Sequence, residues 1–310
     1  MSVGTIVTIV LLMTVLVLGL VLIRTIFKGA VENIDITDKD LVISKIREIK
    51  PDFIINTASY NAVDKCETDD DEYELAQKIN GEAVGFLAEV AIEIGAVLVH
   101  YSTDYVFDGK PKIPEPKGCS GSCGSCMLHE GFEPQIGFDE KAKPNPISNY
   151  GKSKLMGEKE VQKNTKKYYI IRLSKLFGKP AKAQEAKKSF FEIMLEVGEN
   201  PPAGGKSVKV VDEETSNFTY APDLAKKTKE IIDAKKAYGI YHVTNVDSCT
   251  WYEAVLELYR QTKIKTEIVP VDGEEFARPA QRPYYSVLLN TKLNPMRSYK
   301  LALKDFLKKS

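Results

Sequence analysis

The chain has 310 residues, with 43 Lys and Arg against 43 Asp and Glu, so its net charge is zero and no basic field argues for a nucleic-acid partner. A hydrophobic share of 43% with 20 Gly and 15 Pro excludes disorder and fibrous repeats and suits one large or two medium domains. Five Cys, three of them crowded at Cys119, Cys123 and Cys126, exclude a secreted disulfide framework and point to a reducing compartment.

Residues 3–23 are a run of 21 without a charge. As a helix rising about 1.5 Å per residue the run spans roughly 31 Å, the thickness of a bilayer core. No Lys or Arg precedes it and no small-residue cleavage site follows, so the expectation is an N-terminal apolar helix over 1–28, retained as a single-pass membrane anchor. Arg24 and Lys28 then put the remaining chain on the cytoplasmic side. The competing reading, a buried core helix or β-rich segment, runs against the length of the uncharged run.

Beyond residue 30, short apolar runs alternate with amphipathic stretches. The runs at 52–59, 96–105 and 168–177 are β-branched or aromatic and of buried-strand length, which predicts parallel strands. Between the first two, Thr68 and Asp71 resemble a capping box, and Val84, Leu87, Ala88, Ala91 and Ile92 recur at helical spacing until Gly95. A second helix is predicted over 149–164. This alternation predicts an α/β fold: a Rossmann-like doubly wound parallel sheet, truncated at its N-terminus, over 29–178. Residues 109–146, rich in Pro, Gly, Ser and Cys, read as a long surface loop. Helices near 188–197, 223–234 and 250–262 with a strand at 239–243 predict a smaller α/β substrate lobe over 179–310.

Tyr150 and Lys154 stand four apart on the predicted second helix, on one face. An ammonium beside a phenol favours the phenolate, which predicts a lowered Tyr150 pKa and an acid for a developing alkoxide. Thr103, at the end of a predicted strand, offers a hydroxyl to a substrate carbonyl.

The segments INTASYNAVDKCE (55–67), VHYSTDYVFDG (99–109), P-x-P-x-x-x-YGKSKLMGE (144–158), VVDEETSNFTYAPDLA (210–225), GIYHV (239–243) and RPYYSVL (282–288) closely resemble the dTDP-4-dehydrorhamnose reductases, which belong to the extended short-chain dehydrogenase/reductases. The resemblance covers roughly 32–308. It implies reduction, by NADPH or NADH, of the 4-keto group of a nucleotide-activated deoxysugar. Tyr150 is then the general acid, Lys154 binds the nicotinamide ribose and tunes Tyr150, and Thr103 orients the keto group. It further implies Asp35 and Ile36 near the adenine, Ala58 and Ser59 along the cofactor, and Asn61, Val63 and Val106 by the sugar. Arg282 would contact the nucleotide part of the substrate. A homodimer is compatible with it.

Three departures stand beside the match. Family members open with a strand, a G-x-x-G-x-x-G turn and a helix whose N-terminus holds the pyrophosphate, whereas here the apolar segment takes that place. The spacing recurs at Gly118, Gly121 and Gly124, but without a preceding strand, and is rejected as the fingerprint. Lys175 stands where the family commonly has a Trp near the sugar. The third departure is the long loop, where Cys119, Cys123, Cys126 and His129 have the chemistry of a tetrahedral zinc site and C-x3-C-x2-C resembles a radical-enzyme cluster motif, yet the position within an insertion fits neither and no metal ligand is assigned. The alternative function is a non-catalytic binding protein of the same fold, like the regulatory subunit of methionine adenosyltransferase.

Overall fold

The computed structural model describes residues 8–12, 30–33, 35–112, 135–179, 188–201, 207–276 and 278–308. Their centre is a six-stranded parallel sheet in the order β2-β1-β3-β4-β5-β9. These strands are β1 (Thr8–Leu12), β2 (Ala30–Asn33), β3 (Phe53–Asn56), β4 (Val97–Thr103), β5 (Tyr168–Leu173) and β9 (Gly239–His242).

The apolar N-terminal segment therefore supplies a strand, and the expected continuous apolar helix is corrected. Ile9 pairs with Ala30 on one side and with Ile54 on the other, so β1 lies inside the sheet with both edges hydrogen-bonded. A segment apolar on every side suits a parallel strand covered on both faces as well as it suits lipid. Among the described residues no helix is long and apolar enough to cross a membrane.

Adjacent residues of the central strands face opposite layers. Ile54, Leu98 and Ile170 join a core with Val42 and Ile46 of α1 (Lys39–Ile49), Val84 and Leu87 of α3 (Ala83–Ile94), and Val161 of α4 (Asn149–Asn164). Ile55, Val99 and Ile171 face the other way, onto Leu224, Ile231 and Ile232 of α6 (Ala221–Asp233). Strands packed on both faces explain why their sequences are near-continuous apolar runs.

Helix ends follow local chemistry. Asp69, one residue beyond the expected Thr68, caps α2 (Asp70–Gln77) by accepting from the N–H groups of Asp71 and Glu72. One turn of π-helix (Lys78–Glu82) joins α2 to α3, which ends at Gly95, whose φ of 78° takes the left-handed conformation a closing glycine supplies.

A second core gathers Phe191 of α5 (Phe190–Glu199), Val208 and Val210 of β7 (Ser207–Val211), Leu258 of α7 (Trp251–Thr262), and Leu303 and Phe306 of α8 (Tyr299–Lys308). Strand β10 (Glu267–Val271) pairs with β7, and β6 (Leu176–Phe177) with β8 (Thr219–Tyr220). The two cores do not divide at the expected boundary of 178, because α6 and β9 return to the first sheet. The reading of 109–146 as surface loop also fails at its far end: Phe138 N–H donates to Val287 O at 2.8 Å, and its ring stacks on Phe107. Cys119, Cys123, Cys126 and His129 lie outside the described residues.

Candidate active site

Strand order reverses between β1 and β3, since β2 lies beyond β1 on one side while β3 follows on the other. Such switch points open a crevice at the strands' C-terminal ends. Ala58 and Ser59 leave β3 at this crevice, and Thr103 ends β4 one strand further on.

Helix α4 brings Tyr150 to the same end. Ser148 caps it by accepting from the Gly151 N–H at 3.1 Å. A Cβ at Gly151 would stand 2.3 Å from the Tyr105 carbonyl oxygen, so only glycine lets the first turn lie this close to the chain after β4. The hydroxyls of Thr103 and Ser59 both bear on the Tyr150 phenol, and the Tyr105 ring meets the Tyr150 ring edge-on at 5.6 Å. Lys154, one turn on, is buried, and its Nζ donates to the Tyr101 carbonyl at 2.8 Å.

Burial pushes the Tyr150 phenol above its ordinary value and the Asp104 charge adds to this, against the Thr103 and Ser59 hydrogen bonds. The expected lowering of Tyr150 is thus reversed by burial, and the Lys154 ammonium donates to a backbone carbonyl. Burial lowers Lys154 itself to about 8, opposed by Glu158. Asp104 is raised to about 6 by burial, against hydrogen bonds from Ser286 and Thr103. Ser286 Oγ donates to Asp104 Oδ2 at 2.5 Å and Thr103 Oγ1 to Asp104 Oδ1 at 3.1 Å.

Other expected residues divide by exposure. Asp35, just past β2, is exposed and its Oδ1 accepts from Thr37 N–H and Oγ1. Ile36 is wholly buried in the first core, so its side chain is not offered to an adenine. Ala58 N–H is taken by Asn56 Oδ1, while Asn61 is exposed and Val63 half-buried. Val106 is corrected: it is wholly buried with Phe107, Phe138 and Leu288, and its side chain cannot reach a sugar. Lys175, at φ 38°, donates to the Glu214 carbonyl at 2.9 Å and lies 4.1 Å over the Trp251 ring. Arg282 forks Asp64 at 2.9 and 2.7 Å, holding that carboxyl below its usual range. A cleft of about 380 Å³ runs between the two cores past Asp108, Ile147, Glu214, Arg278 and Arg282.

Sequence reasoning missed Asp104, Glu158, Arg172, Arg278 and Ser286. Arg172 carried a signal: an arginine in the middle of an apolar strand requires a buried partner.

The RmlD substrate binding domain model matches residues 22–310. Spore coat polysaccharide biosynthesis protein SpsK of Bacillus subtilis is 31% identical over 94% of this chain and 93% of its own length. The dTDP-4-dehydrorhamnose reductase of Streptomyces griseus is 32% identical over 88% of this chain and 82% of its own. Among solved structures, the dTDP-4-dehydrorhamnose reductase of Bacillus anthracis in complex with NADP superposes with a TM-score of 0.81 at 29% identity, over 98% of this chain and 99% of that one. Its Clostridium acetobutylicum counterpart gives 0.80 at 34% identity, over 97% and 99%. The chain belongs to the RmlD family, that of the dTDP-4-dehydrorhamnose reductases.

Proposed function

We propose that the chain reduces the 4-keto group of a nucleotide-activated deoxysugar with NAD(P)H, in the manner of the dTDP-4-dehydrorhamnose reductases of dTDP-L-rhamnose biosynthesis. The observation that carries this reading is the meeting of Thr103, Ser59 and Tyr150 at one end of a switch-point sheet, with Lys154 one turn further along the same helix.

The residues at the crevice suit a dinucleotide. Asp35 stands exposed just past β2, where an acidic side chain accepts from a ribose hydroxyl, and Ser59, Tyr150 and Lys154 offer a hydroxyl, a phenol and an ammonium nearer the sheet centre. Bound NAD(P)H supplies the hydride that arrives at C4 of the sugar. Thr103 Oγ1 orients the keto oxygen, and Tyr150 gives its phenolic proton to that oxygen as negative charge develops there. A phenol raised by burial stays protonated through neutral pH, so the acid is loaded when substrate arrives. Lys154, protonated below about 8, holds the ribose and steadies the phenolate left behind. Asn61, Val63, Lys175 and Arg282 line the sugar and nucleotide side, with Arg282 already fixed by Asp64.

The test is NADPH oxidation with dTDP-4-dehydro-6-deoxy-L-mannose. Turnover that is lost in Tyr150→Phe supports the reading. Tight sugar-nucleotide binding without turnover or cofactor binding would overturn it in favour of the regulatory alternative.

A further inference from the structure

Behind Lys154 lies a buried charged network that the reaction does not use directly. Ser102 of β4 and Arg172 of β5 are register partners, as are Arg172 and His242 of β9, so the three side chains share one face of the sheet. Above them stands Glu158, one turn along α4 from Lys154. Arg172 forks its carboxylate, Nε to Oε1 at 2.8 Å and Nη2 to Oε2 at 2.6 Å, and Ser102 Oγ donates to Oε1 at 2.5 Å. Both partners of the pair are 1% exposed. His242 Nδ1 lies 3.0 Å from the Leu289 carbonyl, which fixes its proton there and leaves Nε2 to accept from Arg172 Nη1 at 3.5 Å. The guanidinium also covers the Phe107 ring at 5.1 Å.

Lysine and glutamate four apart on a helix ordinarily pair with each other. Here they do not: both Glu158 oxygens face Arg172, and the Lys154 ammonium reaches the Tyr101 carbonyl instead. We propose that Arg172 is a positioning residue for Lys154, since by holding both oxygens of Glu158 it stops that carboxylate from capturing the ammonium and leaves Lys154 at the end of β4 beside the reacting groups. The inference rests on the reductase reading only for the use made of the ammonium.

Titratable groups on the elements about Lys154 include Tyr150 and Glu158 on α4, His100, Tyr101 and Asp104 from β4 onward, and Arg172 and His242 on the next strands, and of these Glu158 and His100 interact with it electrostatically. His100 and His242 are held neutral by burial. The π-turn against α4 offers the uncharged Asn80, its Lys78 and Glu82 being exposed. Glu158 is thus the one carboxylate within a helical turn of the ammonium on its own face, and Arg172 is what occupies it.

The experiment titrates Lys154 in the cofactor-free chain by NMR of lysine labelled with 13C at Cε and 15N at Nζ, the signal being assigned with Lys154→Arg. In Arg172→Met, Glu158 is released to Lys154, and the Lys154 midpoint is expected to rise by about one unit. Adding Glu158→Gln removes the carboxylate and returns the midpoint to the parental value or below it. NADPH oxidation at neutral pH follows, falling at least about tenfold in the single variant and recovering to within about threefold in the double. An unchanged midpoint in the single variant, or a rise that persists in the double, overturns the proposal. If only the single variant fails to fold, the double decides alone, and a raised midpoint in it overturns the proposal. Failure of both to fold overturns it too, because the pair would then serve the fold and not Lys154. Absence of turnover in the parent would sink the reductase reading and leave the titration as the judge of this one.

Discussion

A hydroxyl has one proton to give, and this fixes what Tyr150 can do. Thr103 Oγ1 donates to Asp104 Oδ1 and Ser59 Oγ to Asn80 Oδ1, both at 3.1 Å, so in the cofactor-free chain neither hydroxyl's proton is committed to the phenol. Burial keeps the Tyr150 phenol protonated, so Tyr150 carries the proton to be given. Tyr150→Phe keeps the ring against Tyr105 and removes only the proton, so turnover should fall by about 10²–10⁴ while NADPH affinity holds, read from steady-state kinetics beside a direct titration. The two buried lysines give a second prediction at this scale. Burial lowers both Lys154 and Lys175 to about 8, well under the ordinary lysine value. Between these values the unfolded chain binds more protons than the folded one, so stability rises with pH in that window. Phenols raised by burial act only above the ordinary tyrosine value, and they add to the stability lost beyond it. The buried Cys66 and Cys249 thiols, pushed up to about 11, oppose this from about pH 9, so the urea midpoint should climb between pH ~7.5 and pH ~8.5, and Lys175→Met should remove at least about half of that climb. A flat profile in the parent would contradict the burial of these ammonium groups.

Elements are placed by close backbone approach as much as by apolar faces. A Cβ on Gly157 of α4 would stand 2.1 Å from the Asn80 carbonyl oxygen, a backbone atom of the neighbouring turn. Gly157→Ala should lower the unfolding free energy by about 1–3 kcal/mol and reduce turnover by shifting the helix that carries Tyr150. Gly85→Ala is the control, because its Cβ would meet the end of the flexible Glu160 side chain at 3.3 Å and should cost little. Periodicity made α4 legible from the sequence to the residue, along with β3, β4 and β5, because burial on both faces leaves an unbroken apolar run. It failed where one composition serves two environments: residues 8–12 are apolar enough for lipid, and only their pairing with β2 and β3 shows them to be sheet. Val106 and Ile36, placed near ligands by family resemblance alone, have their side chains wholly buried in the core. Tyr150 and Lys154 share the helix α4 at the i, i+4 spacing read in the sequence, but the sign of the Tyr150 shift is set first by burial, which no spacing encodes.

At the scale of the whole molecule, a dinucleotide site is made by a sheet and by the turn that follows its first strand. The sheet is present, with β1 in the position from which that turn departs. Backbone N–H groups at a tight glycine turn and a helix N-terminus ordinarily hold the pyrophosphate, and the glycines are needed because a Cβ would keep the backbone from the phosphates. In the sequence from Met13 to Lys28 the one glycine is Gly19. Residues 13–29 lie outside the described residues, so the expectation rests on composition: NADPH should bind this chain weakly although Thr103, Tyr150 and Lys154 are all present. Met13 and Leu16 stand six and three residues before Gly19 and follow the last residue of β1. Met13→Gly with Leu16→Gly therefore writes G-x-x-G-x-x-G directly after the first strand. If the missing glycines are what limits the cofactor, the double variant should bind NADPH about tenfold more tightly, some 1.4 kcal/mol, measured by quenching of protein fluorescence. Turnover at limiting NADPH should rise with it, while kcat at saturation stays put because Thr103, Tyr150 and Lys154 are untouched. Micromolar NADPH affinity in the parent, with no gain in the variant, would show that other residues of the chain replace the glycine turn.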